Sequence, residues 1–269
     1  GKEPIKSTYY VENPHIVVCT KDSYLDKYDM INNIRKNGIF ILNTSKNISE
    51  IPDNIKYYLA KNECKVYFID AHKIARENGI PNKISTIMEA AIIKITKVLP
   101  YDLAISKMKE SINNKFSKKG NEIVENNINA ISLVEENIKE IEIDKDWINL
   151  EIENKSYNGV LDSISHLKGN ELKVSDFTTH DSGTFEANTT RFEKRNIAEM
   201  LPCWNSENCI SCNMCVMACP HAVIRPKILD EEELKNNPNL KVIDVPGKPD
   251  LKFALEFSYD DCTGCSVCA

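Results

Sequence analysis

The sequence predicts an α/β fold with a parallel sheet, followed by an extended connector and a small cysteine-built domain. Three observations predict it. Short apolar runs alternate with helical stripes over residues 1–143. Apolar content then drops across residues 144–200. Seven of the ten cysteines fall into two evenly stepped groups within residues 201–269.

Composition bounds the answer. The chain is 42% hydrophobic and 28% charged with net charge −6, an ordinary balance for a soluble protein. Its 269 residues allow about two domains. No apolar run reaches the ~18 residues of a membrane helix, so no membrane span is expected. The acidic balance argues against nucleic acid, whose binding rests on clustered Lys and Arg. The start, Gly1-Lys2-Glu3-Pro4, carries no apolar signal region. A disulfide framework belongs to small secreted chains, so reduced thiols holding metal in the cytoplasm are the better account.

The elements follow in order. His15-Ile-Val-Val-Cys19 is a continuous apolar run, expected as a buried strand. Asp22 or Ser23 caps an expected helix carrying Leu25, Tyr28, Ile31 and Ile34, closed by Gly38. Ile39-Phe-Ile-Leu-Asn43 is the next strand, and a helix with Ile55, Tyr58 and Leu59 on one side follows. Cys64 to Ile69 is a third strand, and Ala71 to Arg76 a short helix. Strands separated by helices imply parallel, Rossmann-like pairing with both sheet faces covered. Ile84, Ile87, Met88, Ala91, Ile92, Ile95, Val98 and Leu99 then form a wide helical stripe ended by Pro100. Two further helices are marked by Leu103 to Phe116 and by Ile123 to Val134.

Ligand sites in open α/β sheets lie at the carboxyl ends of strands. Asn43, Thr44, Asp70 and His72 stand there, with loop hydrogen bonding and helix capping as their expected work. No phosphate-binding glycine loop of either common type occurs. Cys19 and Cys64 sit in apolar strands and read as inert core. His15 and His166 show no partner pattern. In the connector, Trp147 anchors the entry and Arg191, Lys194 and Arg195 form a small basic group. That group is either a solvated face, or a contact to a carboxylate or a field that raises a nearby cluster's potential.

The cysteines carry the chemistry. Cys209-Ile-Ser-Cys212-Asn-Met-Cys215-Val-Met-Ala-Cys219-Pro220 reads C-x2-C-x2-C-x3-C-P. In that ferredoxin run three thiolates hold one 4Fe–4S cluster and the fourth reaches the other. Cys262-Thr-Gly-Cys265-Ser-Val-Cys268 repeats the first three steps. Cys219 should therefore join Cys262, Cys265 and Cys268. Cys209, Cys212 and Cys215 need a fourth thiolate, which the spacing places about three residues past Ala269. The expectation is a truncated ferredoxin-like domain, one full cluster and one labile three-cysteine cluster, in a piece cut from a longer chain. A zinc ribbon would use separated C-x2-C pairs without the third cysteine or the C-P step. Cys203 breaks the spacing and is expected to be a non-ligand, able to substitute for the missing one. His221 to Arg225 and Phe253 to Phe257 read as strands flanking an insert at residues 227–250.

Several stretches then fall in one order: Tyr24-Leu-Asp-Lys-Tyr-Asp29, Phe40-Ile-Leu-Asn-Thr44, Glu193-Lys194-Arg195, Cys209 to Ala222, and Asp261-Cys-Thr-Gly-Cys265. Together they resemble the pyruvate:ferredoxin (flavodoxin) oxidoreductase family across essentially the whole chain. The resemblance implies a middle α/β domain at 1–143, a connector at 144–200 and an incomplete two-cluster domain at 201–269. It implies a larger cytoplasmic, homodimeric enzyme that uses thiamine diphosphate and Mg to decarboxylate pyruvate and form acetyl-CoA. Electrons then leave through two 4Fe–4S clusters to ferredoxin or flavodoxin. No thiamine-type Gly-Asp-Gly occurs here, so that site belongs to the remaining domains. The resemblance also implies coenzyme A contact by Asn127 and by Ser85, where the family usually has another asparagine. Polar helix surface is the other reading of both. The rival function is a non-catalytic ferredoxin-like electron-transfer subunit with an α/β docking domain, and the flanking sequence separates the two.

Overall fold

A computed structural model describes residues 11–152 and 159–269. The chain start at Gly1–Pro4 and part of the expected connector lie outside the described residues. The described chain divides into two compact units, with the division between Thr184 and Phe185.

The first unit is built on a four-stranded sheet in the order β1 (Ile16–Cys19), β2 (Ile39–Asn43), β3 (Lys65–Ile69), β4 (Lys139–Ile141). β1, β2 and β3 are parallel, as the alternation of strands and helices requires. β4 adds an antiparallel edge that the sequence reading did not anticipate. Its three residues are mostly exposed, so no apolar run marks it.

The central strand β2 shows why both faces are covered. Ile41 enters one apolar core with α2 (Ala71–Glu77), α3 (Ser85–Thr96), α4 (Tyr101–Phe116) and α5 (Asn121–Ser132). Phe40 and Leu42 point the other way, into a core with Ile55 and Leu59 of α1 (Asp53–Lys61). Alternate side chains on a strand reach opposite faces, so an unbroken apolar run needs a layer on each side. The turn at Lys145–Asn149, which carries Trp147, packs on α1.

The helix expected between Asp22 and Gly38 is absent. Only a 3-10 turn at Asp22–Tyr24 forms, and the rest runs as turns. Asp26, Asp29, Asn32 and Asn33 compete for backbone groups and lower helix propensity. Arg35 then ties the segment to the approach to β1. Its backbone N–H donates to Pro14 O at 3.0 Å, its Nε donates to Asn13 O at 2.8 Å, and its Nη1 donates to His15 Nε2 at 2.9 Å. His15 therefore has a partner. Leu25, Ile31 and Ile34 are buried all the same, because burial rather than helical period fixes their side. Gly38 is forced by contact: a Cβ there would meet Ile34 Cγ1 at 2.6 Å.

α3 ends at Thr96 with Lys97 left-handed (φ 53°), before Pro100. Pro100 instead caps the start of α4, where its missing N–H costs nothing. α6 (Val134–Asn137) and α7 (Gly159–Ser165) complete the helices of this unit. Just past α7, His166 Nδ1 lies 3.2 Å from the carboxylate of Asp162 on that helix, an i,i+4 contact.

The second unit carries an antiparallel sheet in the order β5 (Ile224–Leu229), β7 (Lys248–Phe257), β6 (Ile243–Val245). The insert read at residues 227–250 thus carries the end of β5, a helix, β6 and the start of β7. Asp230 caps its helix α9 (Glu231–Asn236), accepting from Glu232 and Glu233 N–H at 3.0 and 2.9 Å.

Candidate metal centre

The second unit builds the same local structure twice. A three-residue 3-10 turn, Ser206–Asn208, leads directly into Cys209, and another, Tyr259–Asp261, leads into Cys262. Two residues after each cysteine the backbone turns left-handed, at Ser211 (φ 56°) and Gly264 (φ 67°). It does so again at Asn213 (φ 59°) and Ser266 (φ 64°). In each copy the first left-handed residue donates its N–H to the leading sulfur: Ser211 to Cys209 and Gly264 to Cys262, both at 3.4 Å. Alternation of ordinary and left-handed residues aims successive amides inward, the arrangement that cradles anionic groups.

After the first run, α8 (Met214–Ala218) carries Cys215, and Cys219 caps its end. The chain then turns through Ala222 (φ 51°), and Val223 N–H donates to Cys219 Sγ at 3.4 Å. Cys209, Cys215, Cys219 and Cys268 all pack against an apolar cluster of Ile224, Phe253 and Leu255. The sheet thus floors both cysteine groups.

Cys219, Cys262, Cys265 and Cys268 line one cavity of about 260 Å³. This is the set that the partner rule pairs. Burial pushes the Cys268 thiol up, and the sulfurs of Cys219, Cys262 and Cys265 beside it push the same way. Met200, Leu201, Pro202, Cys203, Val223 and Ile224 are also among its walls. Cys203, read from spacing as a non-ligand, thus lies at the same cavity and is exposed. Of the first run, Cys209 and Cys215 are half-buried and Cys212 is exposed. None of these three lines that cavity.

Among the described residues no three Cys, His, Asp or Glu side chains converge closely enough to hold a single metal ion. A four-iron cube spreads its thiolates wider than one ion does. Four thiols around an apolar-walled space, with backbone N–H groups already on two of the sulfurs, fit such a group.

The connector reaches this site. Lys194 forms an ion pair with Asp261, the residue before Cys262. Ser258 Oγ donates to the same carboxylate at 2.6 Å. Hydrogen bonds from Lys194 and Ser258 hold the Asp261 carboxyl below the usual range. Asn196 N–H donates to Asp260 O at 2.9 Å. Of the other basic residues, Arg195 pairs with Glu193 at 2.9 Å and Arg191 lies over the Phe192 ring at 4.5 Å. The contact to a carboxylate is thus made by Lys194. The signal was a basic group and an Asp260-Asp261 pair 65 to 70 residues on, which no local pattern connects.

In the first unit the strand ends do structural work. Asn43 Nδ2 donates to Thr20 O at 2.9 Å, and its Oδ1 accepts from Ala71 N–H at 2.8 Å. Asp70 caps α2 by accepting from Lys73 N–H at 2.8 Å. Thr44 Oγ1 donates to Asp22 Oδ2 at 3.1 Å. Ser85 opens α3 and lines a cavity of about 400 Å³ with Lys107, Ser111 and Lys115 of α4. Asn127 is buried on α5, donates to Ile123 O at 2.7 Å, and is not among that cavity's walls. The structure does not bring Ser85 and Asn127 together around that space.

Comparison with known proteins covers the same three stretches. A family model described as pyruvate ferredoxin/flavodoxin oxidoreductase matches residues 1–135, a domain of unknown function called EKR matches 157–198, and a 4Fe–4S dicluster domain matches 208–269. Pyruvate:ferredoxin oxidoreductase of Moorella thermoacetica is 38% identical over the whole of this chain. Pyruvate-flavodoxin oxidoreductase of Trichormus variabilis and a probable pyruvate-flavodoxin oxidoreductase of Escherichia coli are each 34% identical over the same span. The chain covers 24% of the length of each of these relatives. A Rossmann-like unit and a repeated cysteine site, matched over these spans, place the chain in the pyruvate ferredoxin/flavodoxin oxidoreductase family.

Proposed function

We propose that this chain is the electron-exit segment of an enzyme that oxidatively decarboxylates pyruvate to acetyl-CoA and passes the electrons to ferredoxin or flavodoxin. The observation that carries it is the single cavity lined by Cys219, Cys262, Cys265 and Cys268. The 4Fe–4S group supplies one-electron transfer when bound. The chain's own residues do the rest. The seven cysteines of the two runs hold the groups, the amides of Ser211, Val223 and Gly264 donate to sulfur, and the apolar wall of Met200, Leu201, Pro202, Val223 and Ile224 excludes water. The match of residues 1–135 to an oxidoreductase family favours an enzyme segment over a stand-alone carrier.

The same reading divides the chain at 1–143, 144–200 and 201–269. Each of the three family matches falls inside one of these parts. Thiamine diphosphate and Mg then belong to the remainder of a cytoplasmic, homodimeric enzyme. Coenzyme A contacts the first unit, with Ser85 at the Lys107–Lys115 cavity and Asn127 as candidate residues. Among the described residues no helix is long and apolar enough to cross a membrane.

The test is Cys→Ala at Cys219, Cys262, Cys265 or Cys268 in the full-length enzyme. Reduction of ferredoxin should be lost while pyruvate-dependent release of carbon dioxide persists, its electrons taken by an artificial acceptor. Normal ferredoxin reduction in all four variants would refute the assignment.

A further inference from the structure

Two buried side-chain polar atoms have no hydrogen-bond partner among the described residues: Trp204 Nε1 and Asn213 Oδ1. Trp204 is the more telling. An indole N–H can only donate, and a buried donor left without an acceptor is destabilising. The ring meets Phe253 edge-on with centroids 6.1 Å apart. It shares the apolar cluster of Ile224, Phe253 and Leu255 with Cys209, Cys215, Cys219 and Cys268. The acceptors that chemistry supplies in that core are the sulfurs of the bound groups.

The internal repeat sharpens this. Trp204 stands five residues before Cys209, and Phe257 stands five residues before Cys262. The two 3-10 turns follow these aromatics at the same step. Phe257 stacks on Tyr259 with centroids 5.5 Å apart and has no N–H to give. The two halves therefore differ by one donor at equivalent places.

We infer that the Trp204 indole N–H donates a hydrogen bond to a sulfur of one of the two iron–sulfur groups, and that this bond raises the potential of that group above the other's. Reduction adds negative charge to the group, so a fixed donor stabilises the reduced form more than the oxidised form. The halves then differ in ease of reduction, which gives electron flow between them a direction. The inference rests on the iron–sulfur reading above.

The test uses the 269-residue chain reconstituted anaerobically with iron, sulfide and a small thiol that supplies the fourth ligand to the Cys209, Cys212 and Cys215 group. Absence of bound iron and labile sulfide in the unaltered chain would overturn the iron–sulfur reading itself. With iron bound, a potentiometric titration followed by electron paramagnetic resonance compares it with Trp204→Phe. One midpoint should fall, so that the reduced-to-oxidised ratio at fixed potential drops about tenfold, ~59 mV for one electron. The other midpoint should stay. Equal midpoints in variant and parent, at equal iron content, overturn the hydrogen bond. Should Trp204→Phe lose its iron, the unaltered chain labelled with 15N-indole tryptophan decides. The chain has two tryptophans, so labelled Trp147→Phe isolates Trp204. Pulsed spectra of the reduced protein should show coupling to one 15N nucleus, retained in Trp147→Phe, and absence of that coupling overturns the inference.

Discussion

Lys194 places its ammonium against the carboxylate of Asp261, which itself leads into Cys262. The pair joins the connector to the second cysteine run. Ser258 completes it by donating to the same carboxylate, so the 3-10 turn before Cys262 is held at both ends. Both side chains are about a third exposed, so the pair is worth ~1 kcal/mol rather than more.

Its consequence is local. Lys194→Met should shorten the lifetime of the iron chromophore in air by several-fold without changing the iron initially bound. Decay of visible absorbance measures it. Equal decay in variant and parent would mean the pair holds nothing that matters to the cavity.

The repeated left-handed positions make a signed pair of predictions. Gly264 has φ 67°, and a Cβ there would sit 3.3 Å from Met200 O. Gly264→Ala should destabilise the second unit by ~1–2 kcal/mol and reduce iron retention. Ser211 bears a side chain at the equivalent turn, with φ 56°. Ser211→Gly should therefore be neutral to stabilising, by at most ~1 kcal/mol. Urea titration of the reconstituted chain reads both.

Asn43 bridges the end of β1 to the start of α2 from a buried position. Asn43→Ala strips the partner from two backbone groups and should cost ~1–3 kcal/mol in the urea transition of the first unit. Asn43→Asp keeps the acceptor for Ala71 N–H but loses the donor to Thr20 O, and adds a buried charge. It should be no milder than Asn43→Ala.

Burial pushes the thiols of Cys19 and Cys64 up to about 11 from an ordinary 9.0. The folded state therefore keeps these protons when the unfolded chain has lost them. Their contribution to stability is intact below pH 9.0 and falls away as pH rises toward about 11. At pH 8, iodoacetamide should leave both unlabelled in the folded chain and label both in denaturant, read by peptide mass mapping. Labelling of either in the folded chain at the rate of exposed Cys212 would contradict the buried assignment.

Much of this was legible because the signals are local. The run Ile39 to Asn43 needs two covering layers whatever those layers are, and it has them. The cysteine steps carry the ligand pattern, and Asp70 announces its cap three residues ahead of Lys73. The segment after β1 misled. Leu25, Ile31 and Ile34 have helical spacing, but Arg35 ties that stretch back to Asn13, Pro14 and His15. β4 was invisible because an exposed three-residue edge strand needs only a neighbour's backbone. Trp204 and Cys203 stood beside the motif without any spacing that gave them a role.

The sequence by itself determined that seven thiols sit at steps suited to iron–sulfur ligation and that a parallel sheet precedes them, since both follow from near neighbours along the chain. Only the tertiary structure decided that Cys203 lines the cavity shared by Cys219, Cys262, Cys265 and Cys268, and that Lys194 reaches Asp261. Both arrangements bring together residues more than forty positions apart, and closing such loops is the work of the β5–β7 pairing and the apolar floor beneath it.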